Sequence, residues 1–177
     1  AAKMKNLILV AVILQLVITI SLQTVSFYEF GDMITLKRRC KCLPFLTYKH
    51  FVIYVDDEPD IPGRAQGQDI FHRTGMCERG GHDCKFGVLA NEKGDNVKAE
   101  NYLDGKYGLS KGTDNEIRTR IRTMISQCKE YRVFTNNCEH LATFVRYGKR
   151  FLQQVGGILN IILLLSGLFR TAHNYEG

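Results

Sequence analysis

Apolar and polar residues alternate along three stretches in the first half of the chain, and this pattern predicts β-strands. The first stretch begins at Met33 after a Gly-Asp turn, the second covers 48–55, and the third is a short returning strand at 69–73. Two more short strands are predicted at 88–90 and 97–99, on either side of a polar turn. Side chains two residues apart share a face of a strand, so these stretches predict a sheet with a buried side.

A helix is predicted in the second half of the chain, where Thr113 and Glu116 form a capping box. Its apolar stripe has helical spacing and consists of Ile117, Ile121, Met124, Ile125 and Cys128. The basic residues of the same stretch lie mostly off that stripe, which indicates a solvated face. Strands followed by helices predict an α+β fold in which an antiparallel sheet packs against helices.

A second predicted helix begins with a cysteine. Asn137 is a preferred N-cap residue, apolar residues follow it at helical spacing, and Gly148 is a typical helix stop. The preceding stretch, 131–135, is rich in β-branched and aromatic residues and predicts a strand end. Cys138 would then occupy the first helical position, where free N–H groups and the helix dipole favour a thiolate. A lowered thiol pKa suits a nucleophile, whereas most cysteines without such a context are buried and inert.

Both ends of the chain are apolar. A basic start and an apolar run predict a signal peptide or an uncleaved signal anchor in 1–26, and the residues do not separate the two. For an uncleaved span, the basic residues that follow favour a cytosolic domain. Residues 27–150 suffice for one globular domain with a sizeable core. The segment 151–177 contains a second apolar run that is slightly short for a spanning helix, and an interfacial or a buried helix is the alternative to a spanning one.

The chain is basic, with a formal net charge of +6 at pH 7. A positive net charge is common in proteins that bind nucleic acid, but this sequence has no helix-turn-helix, zinc-finger or RNA-recognition pattern. We therefore expect an anionic membrane surface as the partner, and no nucleic acid.

The six cysteines limit the disulfide and metal chemistry of the chain. Without Cys138 five cysteines remain, so even complete disulfide pairing would leave one of them unpaired. Cys128, on the apolar stripe of the helix, is expected to be the unpaired cysteine. The spacing of the other four is not a standard zinc pattern, so no metal is expected.

The site motifs resemble those of a known family. The runs Asn-Cys-Glu-His at 137–140 and Arg-Tyr-Gly at 146–148 resemble the signature of the lecithin:retinol acyltransferase-like family, which includes Ras-suppressor-like phospholipases and acyltransferases. The resemblance implies a circularly permuted papain-like core of the NlpC/P60 type. In that fold a histidine precedes the cysteine, and a second histidine follows the first.

The upstream histidines match this expectation. His50, with Tyr48 two residues before it, resembles the first histidine box of the family, which implies a general base for Cys138. His72 is then expected to orient the imidazole of His50, with His82 as the rival for that role. Tyr48 is expected to assist the Cys138 N–H in stabilising an oxyanion. The chain departs from the family in a longer loop between the histidines and in a first strand that does not end in glycine.

The resemblance implies a phospholipid acyl hydrolase or acyltransferase that works through an acyl-thioester on Cys138, without a cofactor. The acyl donor is a phospholipid, and the acceptor is water or an unidentified alcohol or amine. The resemblance also implies that the segment 151–177 is a membrane anchor. The expected location is the endoplasmic reticulum or another endomembrane, or a lumenal or secreted one if the N-terminal segment is cleaved. Two alternatives stay open: an inactive membrane scaffold of the same fold, and a papain-like peptidase or amidase.

Overall fold

The computed structural model describes residues 12–13, 15, 28–40, 47–56, 61–75 and 83–154. The predicted signal or anchor segment lies almost entirely outside these residues, as do the C-terminal apolar run, His82, Cys42 and Cys77. Within the described residues, no helix has both the length and the apolar character that a membrane crossing requires.

The described chain has an α+β fold with one antiparallel sheet, as predicted. The strands are β1 (Met33–Arg39), β2 (Thr47–Tyr54), β3 (Ile70–Arg73), β4 (Cys84–Gly87) and β5 (Asp95–Ala99), and their order across the sheet is β4-β3-β2-β1-β5. Two helices follow, α1 (Asp114–Ser126) and α2 (Cys138–Tyr147). A short 3-10 helix, Leu89–Asn91, connects β4 to β5.

The two faces of the sheet are covered differently. The helices pack on one face, and the main core there includes Met33, Phe51, Ile53, Phe71, Ile117, Ile121, Leu141 and Val145. The opposite face carries a smaller cluster formed by Ile34, Leu36, Val52, Tyr54 and Ile70. Directly paired residues on antiparallel strands share a face, and His50 pairs with Leu36 while His72 pairs with Val52. Both histidines therefore project on the face away from the helices.

Both helices begin where the sequence predicts, and α2 also ends there, whereas α1 ends before Cys128. Thr113 and Glu116 form the capping box of α1, and Ile117, Ile121 and Met124 of the predicted stripe are buried. Ile125, which the sequence predicts on the same stripe, is exposed. Asn137 caps α2, and Gly148 ends it with a φ of 74°, a left-handed conformation in which glycine has no Cβ penalty.

Two predicted strands are wrong. Leu89 and Ala90 belong to the 3-10 helix and Val88 is its N-cap, and the strand in this region is β4, just before it. The 131–135 stretch is a closed loop, because the N–H of Asn136 donates to the Arg132 carbonyl at 2.8 Å and the chain turns back on itself. In both places the β-branched composition matched a strand, but the described part of the sheet offers these residues no neighbouring strand to pair with.

The expectation that Cys128 is unpaired is also wrong. Helix α1 ends at Ser126, so Cys128 leaves the apolar stripe and forms a disulfide with Cys84 on β4. Cys40 is disulfide-bonded as well, and Cys138 is the free thiol among the described residues. The Cys84–Cys128 bond joins the end of α1 to the edge of the sheet.

Candidate active site

The start of α2 is held in place by the side chain of its cap. The Asn137 side-chain oxygen accepts from the His140 N–H at 3.1 Å, and its amide group donates to the Val133 carbonyl at 2.6 Å. These bonds satisfy an N–H group of the first turn and fix the direction in which the loop enters the helix. Cys138 is consequently the first residue of the helix, as predicted.

The fully buried side chain of Arg73 connects this loop to the histidine strand. Its guanidinium donates to the Asn136 side-chain oxygen at 2.5 Å and to the Lys129 carbonyl. Because Arg73 directly follows His72 on β3, the same strand carries a predicted site residue and positions the loop before Cys138.

The Cys138 sulfur lies at the edge of β2, beside the backbone of His50. The Tyr54 N–H donates to the Asp32 carbonyl on the β1 side of β2, whereas the Val55 N–H donates to the Asp69 carbonyl on the β3 side. Adjacent residues of a strand direct their N–H and C=O groups to opposite neighbours. The N–H and C=O groups of the odd-numbered residues of β2 therefore face β3. The β2–β3 pairing stops at Val52 and His72. Before Val52, the edge of β2 that faces β3 has no strand partner, and the Cys138 sulfur lies against it. The sulfur is 3.9 Å from the Lys49 carbonyl oxygen and in contact with the Phe51 N–H.

The two predicted histidines form a hydrogen-bonded pair. His50 Nε2 and His72 Nδ1 are 2.9 Å apart, and each side chain is 1% exposed. Neutral imidazole has one donor and one acceptor nitrogen, so one ring donates to the other. A contact of this kind orients the His50 ring, which is the role that the resemblance implies for His72.

Glu92 extends this pair, and sequence reasoning did not single it out. Its Oε1 lies 3.6 Å from His72 Nε2, and its other oxygen accepts from Arg38. Glu92 stands at the end of the 3-10 helix, inside a polar turn, so only the tertiary fold brings it to the histidines. At this distance the two atoms do not form a hydrogen bond, and His72 Nε2 is buried without a hydrogen-bond partner among the described residues. The negative charge of Glu92 nevertheless favours the His72 tautomer with a proton on Nε2.

The same three residues form a group of possible metal ligands in the described part of the chain. One donor atom each from His50, His72 and Glu92 lies within 4.8 Å of the others. The hydrogen bond between the rings already uses one nitrogen of each histidine, including the Nε2 of His50. The arrangement therefore fits a hydrogen-bonded relay better than a metal site.

Burial keeps the thiol and the imidazoles neutral. It raises the pKa of Cys138 to about 11, and this outweighs the lowering by the Phe51 and Glu139 N–H groups. Burial, with the charge of Arg38, lowers the pKa of His50 well below 6.5. Burial also lowers the pKa of His72 to about 4, although Glu92 opposes it. The thiol pKa thus differs from the expected lowering, because desolvation exceeds the effect of the helix terminus.

A cavity of about 630 Å³ is lined by residues that flank Cys138, whereas Cys138 itself is not among the described residues that line it. We call it the thiol-side cavity; it is lined by Thr35, Lys37, Thr47, Tyr48, Lys49, Phe51, Asn96, Lys98, Glu100, Glu139, Gln153 and Gln154. Lys49 and Phe51 supply both the cavity wall and the backbone groups that contact the sulfur. The cavity therefore reaches the segment of β2 whose backbone contacts the sulfur.

Comparison with known proteins decides the family. A model of the lecithin retinol acyltransferase family matches residues 26–151. The chain belongs to the lecithin retinol acyltransferase family. Human phospholipase A and acyltransferase 2 is 30% identical over 152 residues, which cover 81% of this chain and 86% of that protein. Human phospholipase A and acyltransferase 4 is 29% identical over 139 residues, or 71% of this chain and 73% of that protein.

Within this member of the lecithin retinol acyltransferase family, the predicted site residues lie around one point of β2. His50 and His72 are in contact, Cys138 lies against the backbone on either side of His50, and Tyr48 lines the thiol-side cavity. Among the described residues, no hydrogen bond joins the sulfur to the His50 ring. The catalytic roles of these residues stay predictions, and His82 lies outside the described residues.

The thiol pKa of this family member predicts how fast Cys138 reacts with iodoacetamide. The thiolate is the reactive form, so a pKa of about 11 predicts slow labelling at neutral pH and a rate that rises about tenfold per pH unit. We expect no plateau below pH values of about 10. The measurement is the alkylation rate of the Cys138 peptide by mass spectrometry. Fast labelling with a plateau near neutral pH would show instead a stable thiolate–imidazolium pair.

Proposed function

We propose that this chain is a thiol-dependent phospholipid acyl hydrolase or acyltransferase. One observation carries the proposal: in a member of the lecithin retinol acyltransferase family, the helix-leading Cys138 lies against β2 at His50, whose ring is hydrogen-bonded to His72. The names of the two human relatives, phospholipase A and acyltransferase, support the same class of reaction.

The neutral relay supports general-base catalysis. In the proposed tautomer, His72 carries its proton on Nε2, on the side of Glu92. His72 Nδ1 is then an acceptor and receives a hydrogen bond from His50 Nε2–H. This leaves Nδ1 of His50 unprotonated, so that it can act as a base. His50 takes the proton of the Cys138 thiol as the sulfur attacks the ester carbonyl carbon of the phospholipid. The C–O bond breaks, the leaving oxygen takes the proton from His50, and a lysophospholipid departs.

The resulting acyl-thioester on Cys138 is then resolved by an oxygen or nitrogen nucleophile. Water yields a free fatty acid, whereas an alcohol or amine yields a new ester or amide. In each case His50 accepts the proton of the attacking group, the C–S bond breaks, and the departing sulfur takes that proton from His50, which restores the Cys138 thiol. The Cys138 N–H has no partner within α2, because it belongs to the first residue of the helix. We assign it to the oxyanion, together with the Tyr48 hydroxyl.

We further propose that the core is a circularly permuted papain-like fold and that the protein acts at a membrane. The apolar segments at both ends of the sequence and the net charge of +6 support an anionic membrane surface. We place the protein at the endoplasmic reticulum or another endomembrane, and the Cys84–Cys128 disulfide supports the lumenal or secreted location that cleavage of the N-terminal segment would give.

A catalytically idle scaffold of the same fold is the second candidate. The observation in its favour is the burial of the Cys138 thiol, which raises its pKa to about 11. A peptidase or amidase would use the same residues, but the apolar ends of the sequence favour a lipid substrate.

Incubation of the full chain with phospholipid vesicles and, separately, with peptide substrates distinguishes these functions. We expect release of lysophospholipid and, by intact-protein mass spectrometry, a fatty-acyl adduct that maps to Cys138 and is removed by hydroxylamine. Cleavage of peptides without lipid turnover would indicate the peptidase. The absence of both activities and of the adduct would leave the scaffold.

A further inference from the structure

The chain reverses after α2 and returns to the start of that helix. We call residues 151–154 the return segment. Near its beginning, the Phe151 N–H donates to the Thr143 hydroxyl at 2.9 Å. At its end, the N–H groups of the last two residues donate to the Glu139 carboxylate at 2.8 and 3.3 Å. Thr143 and Glu139 lie about one helical turn apart, so the return segment runs antiparallel to α2 and is held by two of its side chains.

Glu139 directly follows Cys138, and its side chain is completely buried. A third donor, the Tyr102 hydroxyl, reaches the same carboxylate at 2.7 Å. In the described part of the chain, all three donors to this carboxylate are neutral, and the positive end of α2 favours a carboxylate at this position. A carboxylate offers two acceptor oxygens and no donor, whereas an amide would direct an NH₂ group at another donor. The convergence of three donors therefore requires an acid here.

Gln154 connects the return segment to the edge of β2. Its side-chain oxygen accepts from the Lys49 N–H at 2.9 Å. The carbonyl oxygen of Lys49 lies 3.9 Å from the Cys138 sulfur, which also contacts the Phe51 N–H. The Gln154 side chain and the sulfur therefore occupy consecutive positions along the unpaired edge of β2, on either side of the Lys49 peptide groups. Gln154 supplies the acceptor that a neighbouring strand would otherwise provide.

We infer that Glu139 and Gln154 are positioning residues that hold the backbone of β2 at His50 against the Cys138 sulfur. The inference rests on the proposed function, in which His50 takes the proton of that sulfur. Glu139 fixes the return segment from the residue after the nucleophile, and Gln154 fixes the strand at the residue before the base. Misplacement of reacting groups by about 1 Å lowers a rate by up to about 10²-fold, so a released segment costs rate rather than lipid binding.

The substitution Gln154→Met tests the contact with β2, because it removes the acceptor, keeps the length of the side chain and leaves the Glu139 carboxylate in place. We expect kcat for lysophospholipid release from vesicles by the full chain to fall about tenfold, with KM unchanged within about twofold. The matched control is Gln127→Met, on an exposed position outside the thiol-side cavity, which should keep the wild-type kcat. An unchanged kcat in Gln154→Met, or a loss confined to KM, would overturn the inference.

The substitution Glu139→Gln tests the contact with the return segment. It keeps the shape of the side chain but turns one acceptor into a donor, so we expect kcat to fall about 10²-fold at unchanged KM. The double variant with Gln154→Met should be no slower than Glu139→Gln, because both substitutions break one chain of contacts. The unfolding temperature is measured for each variant. If Glu139→Gln does not fold, Gln154→Met still decides, since it changes only a half-buried side chain.

Alkylation of the thiol separates this inference from the proposed function, because it requires no lipid. Iodoacetamide labelling of the Cys138 peptide is measured by mass spectrometry at neutral pH. We expect labelling in Gln154→Met to be about tenfold faster than in the wild type and in Gln127→Met, because a released segment lets water reach the buried sulfur. Faster labelling in Gln154→Met, together with a wild-type chain that turns over no lipid, would refute the proposed reaction and support the positioning of the thiol. Lipid turnover with equal kcat and equal labelling in all these proteins would refute the positioning alone.

Discussion

Replacement of Cys138 by serine is expected to lower the rate of lysophospholipid release from vesicles by at least about 10³-fold. The proposed reaction forms a bond between the sulfur and the acyl carbon, and an alkoxide is far harder to generate than a thiolate in a site where burial already raises the thiol pKa to about 11. Serine is slightly smaller than cysteine and fits the same space between Lys49 and Phe51. The measurement is the initial rate at saturating lipid.

Two controls show whether the loss is chemical. The serine variant should retain the wild-type unfolding temperature, because Cys138 is the free thiol of the described residues and its loss breaks no disulfide there. His50→Gln should cause a loss of about 10²-fold to 10⁴-fold by removing the base, and the double variant should be no slower than Cys138→Ser, since the two act as one unit. A serine variant with the wild-type rate would refute the thioester mechanism.

Replacement of Arg146 by leucine is expected to lower the free energy of unfolding by about 3 kcal/mol. The side chain is 4% exposed, and its guanidinium donates to both oxygens of Asp104, at 3.0 and 2.6 Å, and to the Gly31 carbonyl at 2.9 Å. It also donates to Asp32 at 3.2 Å. Leucine leaves the partly buried Asp32 carboxylate without this charge. The measurement is the urea midpoint under conditions that keep the disulfides oxidised.

The matched control is Arg132→Leu, since Arg132 is exposed and its ion pair with Glu130 is 3.6 Å long. We expect a change within about 0.5 kcal/mol there. The Arg146 hydrogen bond holds the pKa of Asp104 below its ordinary value of 3.8. The stabilisation from this pair is fully present above pH 3.8 and is lost as the pH falls through the lowered pKa of Asp104 in the folded state. The difference in the free energy of unfolding between Arg146→Leu and the wild type should therefore become smaller in acid. Equal midpoints at neutral pH would show that Arg146 does not stabilise the fold.

Local patterns along the chain were sufficient for the elements that carry the site. The strand alternation around His50, the capping box at Thr113 and the N-cap at Asn137 each depend on neighbours in sequence, and the structure has all three where they were predicted. The strand at 131–135 failed because strand formation requires a partner strand, and composition does not report whether one is present.

The α+β class and the position of Cys138 at the head of a helix follow from the sequence alone, because periodicity and capping are local properties. The family motif pointed to His50 and His72, whose rings are in contact in the structure and whose catalytic roles stay predictions. Only the tertiary structure decided that β3 stops short of the sulfur, that Glu92 reaches His72 and that three lysines line one cavity wall. It also decided the sign of the thiol pKa shift. Burial depends on every segment that packs around a group, so desolvation exceeded the helix-terminus effect that the sequence alone predicts.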